Sequence, residues 1–129
     1  MIAFISSAYR GPSVFAEQDN ARIAQAMSLY AMKQGYAPFA SHLLYTQFLD
    51  DQNPQHRQFG ISMGHEFMHM ASIMYVYQPH TEISTGVRGD VLLATEHCVH
   101  IEYLTAEDLA ECLTEIKPSR LFARIFGDQ

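Results

Sequence analysis

Short apolar runs alternate along the chain with longer segments of helical periodicity. The apolar runs cover residues 2–6, 36–40, 73–77 and 99–104, and turn-forming residues such as Gly35 and Pro79 lie next to them. Runs of this length with such flanks are typical of buried strands. Strands that alternate with helices of ten or more residues form right-handed parallel crossovers. The pattern therefore predicts one α/β domain over residues 1–129, with a parallel sheet of about four to five strands and helices on both faces.

The helical segments carry recognisable faces and end signals. The first, over residues 14–34, has Ile23, Met27 and Tyr30 or Ala31 on one stripe and Gly35 as its stop. A second begins at Asn53-Pro54, where Pro suits the first helical position. Its apolar repeat, which we interpret as a core face, comprises Phe59, Met63, Phe67 and Met70. Further helices are predicted after Ser84-Thr85-Gly86, with Val87, Val91, Ala94 and Cys98 on one side, over residues 106–116 and over residues 119–126.

Three loops are the predicted positions for a ligand. In open parallel sheets, ligands bind beyond the carboxyl ends of the strands. That rule selects residues 6–12, residues 41–45 and residues 78–90. The run 36–40 is expected at a sheet edge, because Pro38 cannot donate a backbone hydrogen bond.

Composition narrows the classes of protein to consider. Of 129 residues, 48% are apolar and 17% charged, which excludes a disordered chain. The net charge of −6 disfavours a sequence-independent grip on nucleic acid, which needs many cationic side chains. No apolar run approaches the roughly 20 residues that span a bilayer, and no secretory signal is recognised, so we expect a cytoplasmic protein without membrane contact. Cys98 and Cys112 are interpreted as reduced, small hydrophobes.

One string matches the HExxH motif of zinc proteases, from His65 to His69. A catalytic zinc ion also needs a third protein ligand. The later candidates Glu82, Glu96 and His97 fall in a predicted loop and a packed helix and form no recognisable third-ligand motif. We therefore expect a solvated helix face here, with no metal and no cofactor.

The candidate ligand loops each have a purely structural alternative. In residues 6–11, hydroxyls, backbone N–H groups and the Arg10 guanidinium suit a phosphate or sugar, but a plain turn fits equally well. Ser84 is an ordinary helix cap, and Asp90 an ordinary acidic residue near a helix N-terminus. That interpretation leaves two glycines, Arg88 and a carboxylate facing the first loop unexplained. His42 is either a polar surface residue or part of a site.

Taken together, the loops resemble the nucleoside 2-deoxyribosyltransferase-like superfamily, in particular its small, often phage-encoded members of unknown function. The resemblance covers roughly residues 2–104 and implies a Rossmann- or flavodoxin-like sheet. Its segments, in chain order, are Ser6-Ser7-Ala8-Tyr9-Arg10-Gly11, Asn20, residues 35–43, Arg57-Gln58-Phe59-Gly60-Ile61 with Gly64, and Ser84-Thr85-Gly86-Val87-Arg88-Gly89-Asp90. Two departures are clear. Asp90 stands where the superfamily has a nucleophilic glutamate, and Ser72 stands where many relatives carry Asp.

The resemblance implies cleavage of an N-glycosidic bond, or base exchange, on a nucleoside or its 5′-monophosphate. The alternative is a nucleotide-binding module of the same fold without catalysis. In the implied site Asp90 is the nucleophile, the phosphate is held by Ser7, Arg10, Ser84 and Gly86, and Tyr9 and His42 orient the sugar or base. A homodimer or larger homo-oligomer is also implied. The candidate catalytic residues are Asp90 and Tyr9, and the candidate substrate-binding residues are Ser6, Ser7, Arg10, Gly11, His42, Ser84, Gly86 and Arg88.

Overall fold

The structure, a computed structural model, describes residues 1–8, 14–79 and 84–118, with only the backbone described for residues 14–17. Three of the candidate site residues, Tyr9, Arg10 and Gly11, lie outside the described residues. The helix predicted over residues 119–126 lies outside them as well.

The described residues form a sheet of four parallel strands in the order β2-β1-β3-β4. This confirms the predicted α/β fold with its parallel sheet. β2 lies at an edge, as Pro38 predicted. The strands are β1 (Ile2–Ser7), β2 (Ala37–Phe39), β3 (Ala71–Tyr77) and β4 (His100–Tyr103).

Helices cover both faces of the sheet. They are α1 (Val14–Lys33), α2 (Ser41–Leu44), α3 (Pro54–Met68), α4 (Thr85–Glu96) and α5 (Ala106–Glu115), with a 3₁₀ turn at Tyr45–Gln47. None of the helices within the described ranges is long and apolar enough to cross a bilayer.

Alternate residues of the central strands feed two separate cores, because successive side chains of a strand point to opposite faces. Ala3 and Ile5 pack with Met27 of α1 and Leu109 of α5. On the other face, Phe4, Met74 and Val76 pack with residues of α3 and α4, namely Met68, Val87 and Ala94. The sheet therefore carries α1 and α5 on one face and α3 and α4 on the other.

The ends of α1 and α3 follow the local sequence. Gly35 has a φ of 93°, in the left-handed region that suits glycine. Its N–H donates to Met32 O, and the Tyr36 N–H donates to Ala31 O. At the start of α3, Asn53 Oδ1 accepts hydrogen bonds from the backbone N–H groups of residues 55 and 56. Both predicted boundary signals are confirmed.

Three expectations about local structure are wrong. The predicted loop 41–45 is α2 followed by the 3₁₀ turn. The expected core stripe of α3 is largely exposed: Phe59, Met63 and Met70 are 52%, 50% and 57% exposed, whereas Gly64 and Met68 are buried. Cys98 lies beyond the C-terminus of α4, is exposed and has a φ of 58°. Cys112 is buried and free, as expected.

Candidate functional site

A cleft of about 550 Å³ lies beyond the carboxyl end of β1, where the strand order of the sheet reverses. The connection after β1 leads to β2 and the connection after β3 leads to β4, on opposite sides, so the two diverge at the carboxyl ends of these neighbouring strands. Small-molecule sites have volumes in this range. The walls come from β1 and its carboxyl end, the segment 41–51, one side of α3 along most of its length and the first two turns of α4. The lining residues are Phe4, Ser7, Ala8, Ser41, His42, Tyr45, Thr46, Leu49, Asp51, His56, Arg57, Gly60, Ile61, Gly64, His65, Ser84, Thr85, Gly86, Gly89 and Asp90.

Asp90 is a half-buried carboxyl group at the base of α4. Ser6 Oγ, at the end of β1, donates a hydrogen bond to Asp90 Oδ2 at 2.7 Å. Burial raises the pKa of Asp90 to about 6, and the Ser6 bond partly opposes that shift. Above pH 6 the group is therefore a poorly solvated carboxylate, a state common among catalytic acids and nucleophiles.

The position of Asp90 corrects one expectation. It lies in the second turn of α4, and the first turn contains no acidic residue. The helix dipole acts mainly within the first turn, so complementing the dipole does not explain Asp90. The carboxylate does point to the end of β1, as expected from the sequence.

The N-terminus of α4 forms one wall of the cleft. Ser84 Oγ accepts a hydrogen bond from the Val87 N–H at 3.2 Å, which confirms Ser84 as the helix cap. Ser84, Thr85 and Gly86 line the cleft. The first N–H groups of a helix have no partner within the helix and can donate to an anion. A Cβ atom on Gly86 would meet nothing within 4 Å, so the space beside this turn is open.

His42 lies in α2 and also lines the cleft. Burial lowers the pKa of His42 below its usual 6.5, Asp51 opposes that shift and the Arg57 guanidinium adds to it. The imidazole is therefore neutral at pH 7. A neutral imidazole both donates and accepts a hydrogen bond, which suits the recognition of an uncharged polar group.

The structure brings together most of the candidates that it describes. Five of them line the cleft, and Ser6 donates a hydrogen bond to the carboxylate of Asp90. Arg88 is exposed and does not contribute to the lining. The five lining residues are Ser7, His42, Ser84, Gly86 and Asp90.

Sequence reasoning missed the contribution of α3. Arg57, Gly60, Ile61, Gly64 and His65 line the cleft from one side of this helix. Their spacing of three, four and seven or eight residues is that of a single helix face. This spacing is present in the sequence, but the apolar repeat on another side of the same helix is more conspicuous and predicts that side as the buried face.

The histidines of the HExxH string have different neighbours. His65 lines the cleft, whereas His69 lies just past α3, with its ring centroid 4.1 Å from that of His97. Within residues 1–8, 14–79 and 84–118, no group of three or more His, Cys, Asp or Glu side chains is placed to hold a metal ion.

A profile of DUF7768, described as a domain of unknown function, matches residues 1–104. The chain belongs to the DUF7768 family. The matched part of this DUF7768 protein contains the four described strands and each described residue that lines the cleft, and α5 lies beyond it. No curated protein matches the chain significantly. The family description names no activity, so a functional argument has to begin from the cleft.

Proposed function

We propose that this DUF7768 protein cleaves the N-glycosidic bond of a nucleoside or deoxynucleoside, or of its 5′-monophosphate, or exchanges the base, with Asp90 as the nucleophile. The observation that carries the proposal is the Asp90 carboxyl group, half-buried in the cleft, bonded to Ser6 and with its pKa raised to about 6. The resemblance of the loop sequences to deoxyribosyltransferase-like proteins supports it. No metal or cofactor enters the reaction, which we place in the cytoplasm, or in the host cytoplasm if the protein is phage-encoded.

The chemistry uses the carboxylate and the walls of the cleft. An Asp90 oxygen forms a bond to the anomeric carbon as the carbon–nitrogen bond breaks, through an oxocarbenium-like transition state. The base leaves with the bonding electron pair and takes up a proton from solvent, and the water or base that attacks in the next step returns a proton to solvent. Water or a second base then attacks the glycosyl-enzyme and releases the carboxylate. Ser6 fixes the carboxyl group through Oδ2.

The other described candidates fit binding roles in this reaction. A phosphate at the N-terminus of α4 would receive hydrogen bonds from the first turn, where Ser84 and Gly86 lie. His42, neutral and half-buried, is suited to orient the sugar or base. Ser7 also lines the cleft and can donate its hydroxyl proton to the ligand.

The second candidate function is binding of a nucleotide without cleavage. It is favoured by the short side chain of Asp90, which is one methylene, roughly 1.5 Å, shorter than the glutamate of the resembling superfamily. A displacement of about 1 Å can reduce a rate on the order of a hundredfold.

The deciding experiment measures free base by chromatography after incubation with a panel of nucleosides and 5′-monophosphates. We expect base release by the wild type that declines as the pH falls through about 6, because the carboxyl group then becomes protonated. Asp90→Asn should abolish release while ligand affinity stays within a few-fold. Asp19→Asn, a matched change at an exposed acid on α1, should leave release unchanged.

Tight nucleotide binding by the wild type with no base released over hours would contradict the enzyme proposal and favour the binding module. If Asp90→Glu then created activity, the shortened side chain would be the reason for the wild type's inactivity.

A further inference from the structure

Among the described lysines and arginines, Arg57 is the one that lines the cleft. The other described cations have different positions. Arg22 donates to the backbone carbonyls of Leu113 and Lys117, and Lys33 pairs with Glu111 and Glu115 on the α1–α5 face of the protein. A guanidinium is charged at every physiological pH. Among the residues that the structure describes, Arg57 therefore supplies the cleft with a fixed positive charge.

The surroundings of Arg57 are otherwise unfavourable to an anion. Asp51 and Asp90 are carboxyl groups in the same cleft, and the chain as a whole carries a net charge of −6. The other titratable groups in the lining are Tyr45 and three histidines: His42 of α2, and His56 and His65 of α3. His42 is neutral at pH 7, for the reasons given above. Of the described side chains in the lining, Arg57 is thus the one that offers a negatively charged ligand a fixed opposite charge.

The backbone holds Arg57 in a defined position. The Arg57 N–H donates to Asn53 O at 2.9 Å, and the Asn53 side chain caps the same turn. One turn further along α3, a Cβ atom on Gly60 would lie 3.7 Å from Leu49 Cδ1 and 3.8 Å from Tyr45 Cδ2. This face of the helix therefore faces the segment that also contributes Asp51 and His42 to the cleft.

We propose that the Arg57 guanidinium, in addition to the N-terminal turn of α4, binds the phosphate of the substrate, so that the protein selects nucleoside 5′-monophosphates over nucleosides. The choice of a nucleotide rests on the proposed function above. The planar fork of donors of an arginine matches two phosphate oxygens at once, which a lysine does not. Arg57 is thus a specificity-determining residue on a helix outside the loops that the sequence indicates.

The test compares three probes by calorimetry: a deoxynucleoside, its 5′-monophosphate, and 2-deoxyribose 5-phosphate, which has the phosphate without the base. Arg57→Gln should weaken binding of both phosphate-bearing probes roughly ten- to a hundredfold, because a charge-assisted contact is lost. Nucleoside binding should change less than twofold. Arg57→Lys should retain part of the affinity for the two phosphate-bearing probes. Lys33→Gln, which removes an equal charge on the other face of the sheet, should change the affinity for none of the three probes.

Equal loss for all three probes would overturn the proposal, since Arg57 would then contact the base or sugar, or support the cleft. No loss for any probe would overturn it too, because the phosphate would then be held elsewhere. If Arg57→Gln fails to fold, the same comparison is made with Arg57→Lys, together with the salt dependence of binding to the wild type. The affinity for the monophosphate must then fall as salt is added, whereas the affinity for the nucleoside must not. Arg57-dependent phosphate binding without base release would refute the proposed reaction and leave this inference standing.

Discussion

At the scale of single residues, Asp90 costs the folded protein stability. Its pKa is raised to about 6 from an ordinary 3.8, chiefly by burial. Below about pH 4 the group is protonated in both states and the cost is absent. Between pH 4 and 6 the unfolded state loses the proton first, so stability falls as the pH rises. Above pH 6 the full cost, on the order of 3 kcal/mol from 1.36 kcal/mol per pKa unit, is present.

Asp90→Asn should therefore stabilise the protein by roughly 1 to 3 kcal/mol at pH 8 and by little at pH 4. The amide has no charge to desolvate, and its oxygen can still accept the Ser6 hydrogen bond. Urea denaturation of the wild type and the variant across pH 4 to 8 measures this, with Asp19→Asn as the exposed control. A gain of equal size at every pH would show that it does not come from the buried charge.

The site residues at the carboxyl ends of the strands and at the start of α4 were predictable from sequence, and those of α3 and the segment before it were not. Ser7, Ser84 and Asp90 follow from the rule that ligands bind at the carboxyl ends of parallel strands. Arg57 and Asp51 enter the cleft because α3 and the segment before it pack beside that edge. Such packing depends on tertiary contacts, which no local pattern specifies.

At the scale of elements, the first turn of α3 links stability to the site. Asn53→Ala removes the cap that accepts from the N–H groups of residues 55 and 56. It should lower the free energy of unfolding by about 1 kcal/mol, within a range of 0.5 to 2. Because the Arg57 N–H closes this turn by donating to Asn53 O, phosphate affinity should fall as well. Denaturation and calorimetry on the same samples test both effects.

Asn53→Ser, which restores a capping oxygen, is the matched control and should recover most of the loss. If Asn53→Ala and Asn53→Ser were equally destabilising, the contribution of Asn53 would not come from capping.

The errors in the predicted elements have physical causes. α2 has four residues and no side-chain cap, so it lacks both the apolar periodicity and the start signal by which helices are recognised. On α3, periodicity identified side chains that share a face, which is all that periodicity can do. The face that packs contains Gly64 and Met68, and glycine contributes nothing to an apolar pattern. The strands were predicted well because each is a short apolar run between turn-forming residues.

At the scale of the whole molecule, the exposed apolar side chains of α3 bear on assembly. Phe59 and Met63 are one turn apart, and each is about half exposed. Large exposed apolar patches often mark protein–protein contacts. Because the resemblance also implies a homo-oligomer, we propose that the protein forms one through this part of α3.

Light scattering after size exclusion should therefore give a multiple of the 14.6 kDa chain mass. Phe59→Ser with Met63→Ser should shift the distribution towards the monomer, because it removes apolar area that a partner would cover. Met32→Ser, at an exposed methionine on α1, is the control and should have no effect. A mass of one chain at every concentration would contradict the proposal.

Cys98, the exposed cysteine that follows α4, makes the protein suitable for labelling at a single site. Cys98 is exposed at the C-terminal end of α4, whereas the cleft lies at the N-terminal end of that helix. Cys112, the other cysteine of the chain, is buried, and burial raises the pKa of its thiol, so it reacts slowly. A maleimide fluorophore should therefore attach once per folded chain, as mass spectrometry can verify, and report on ligand binding or subunit exchange from a position that leaves the cleft open.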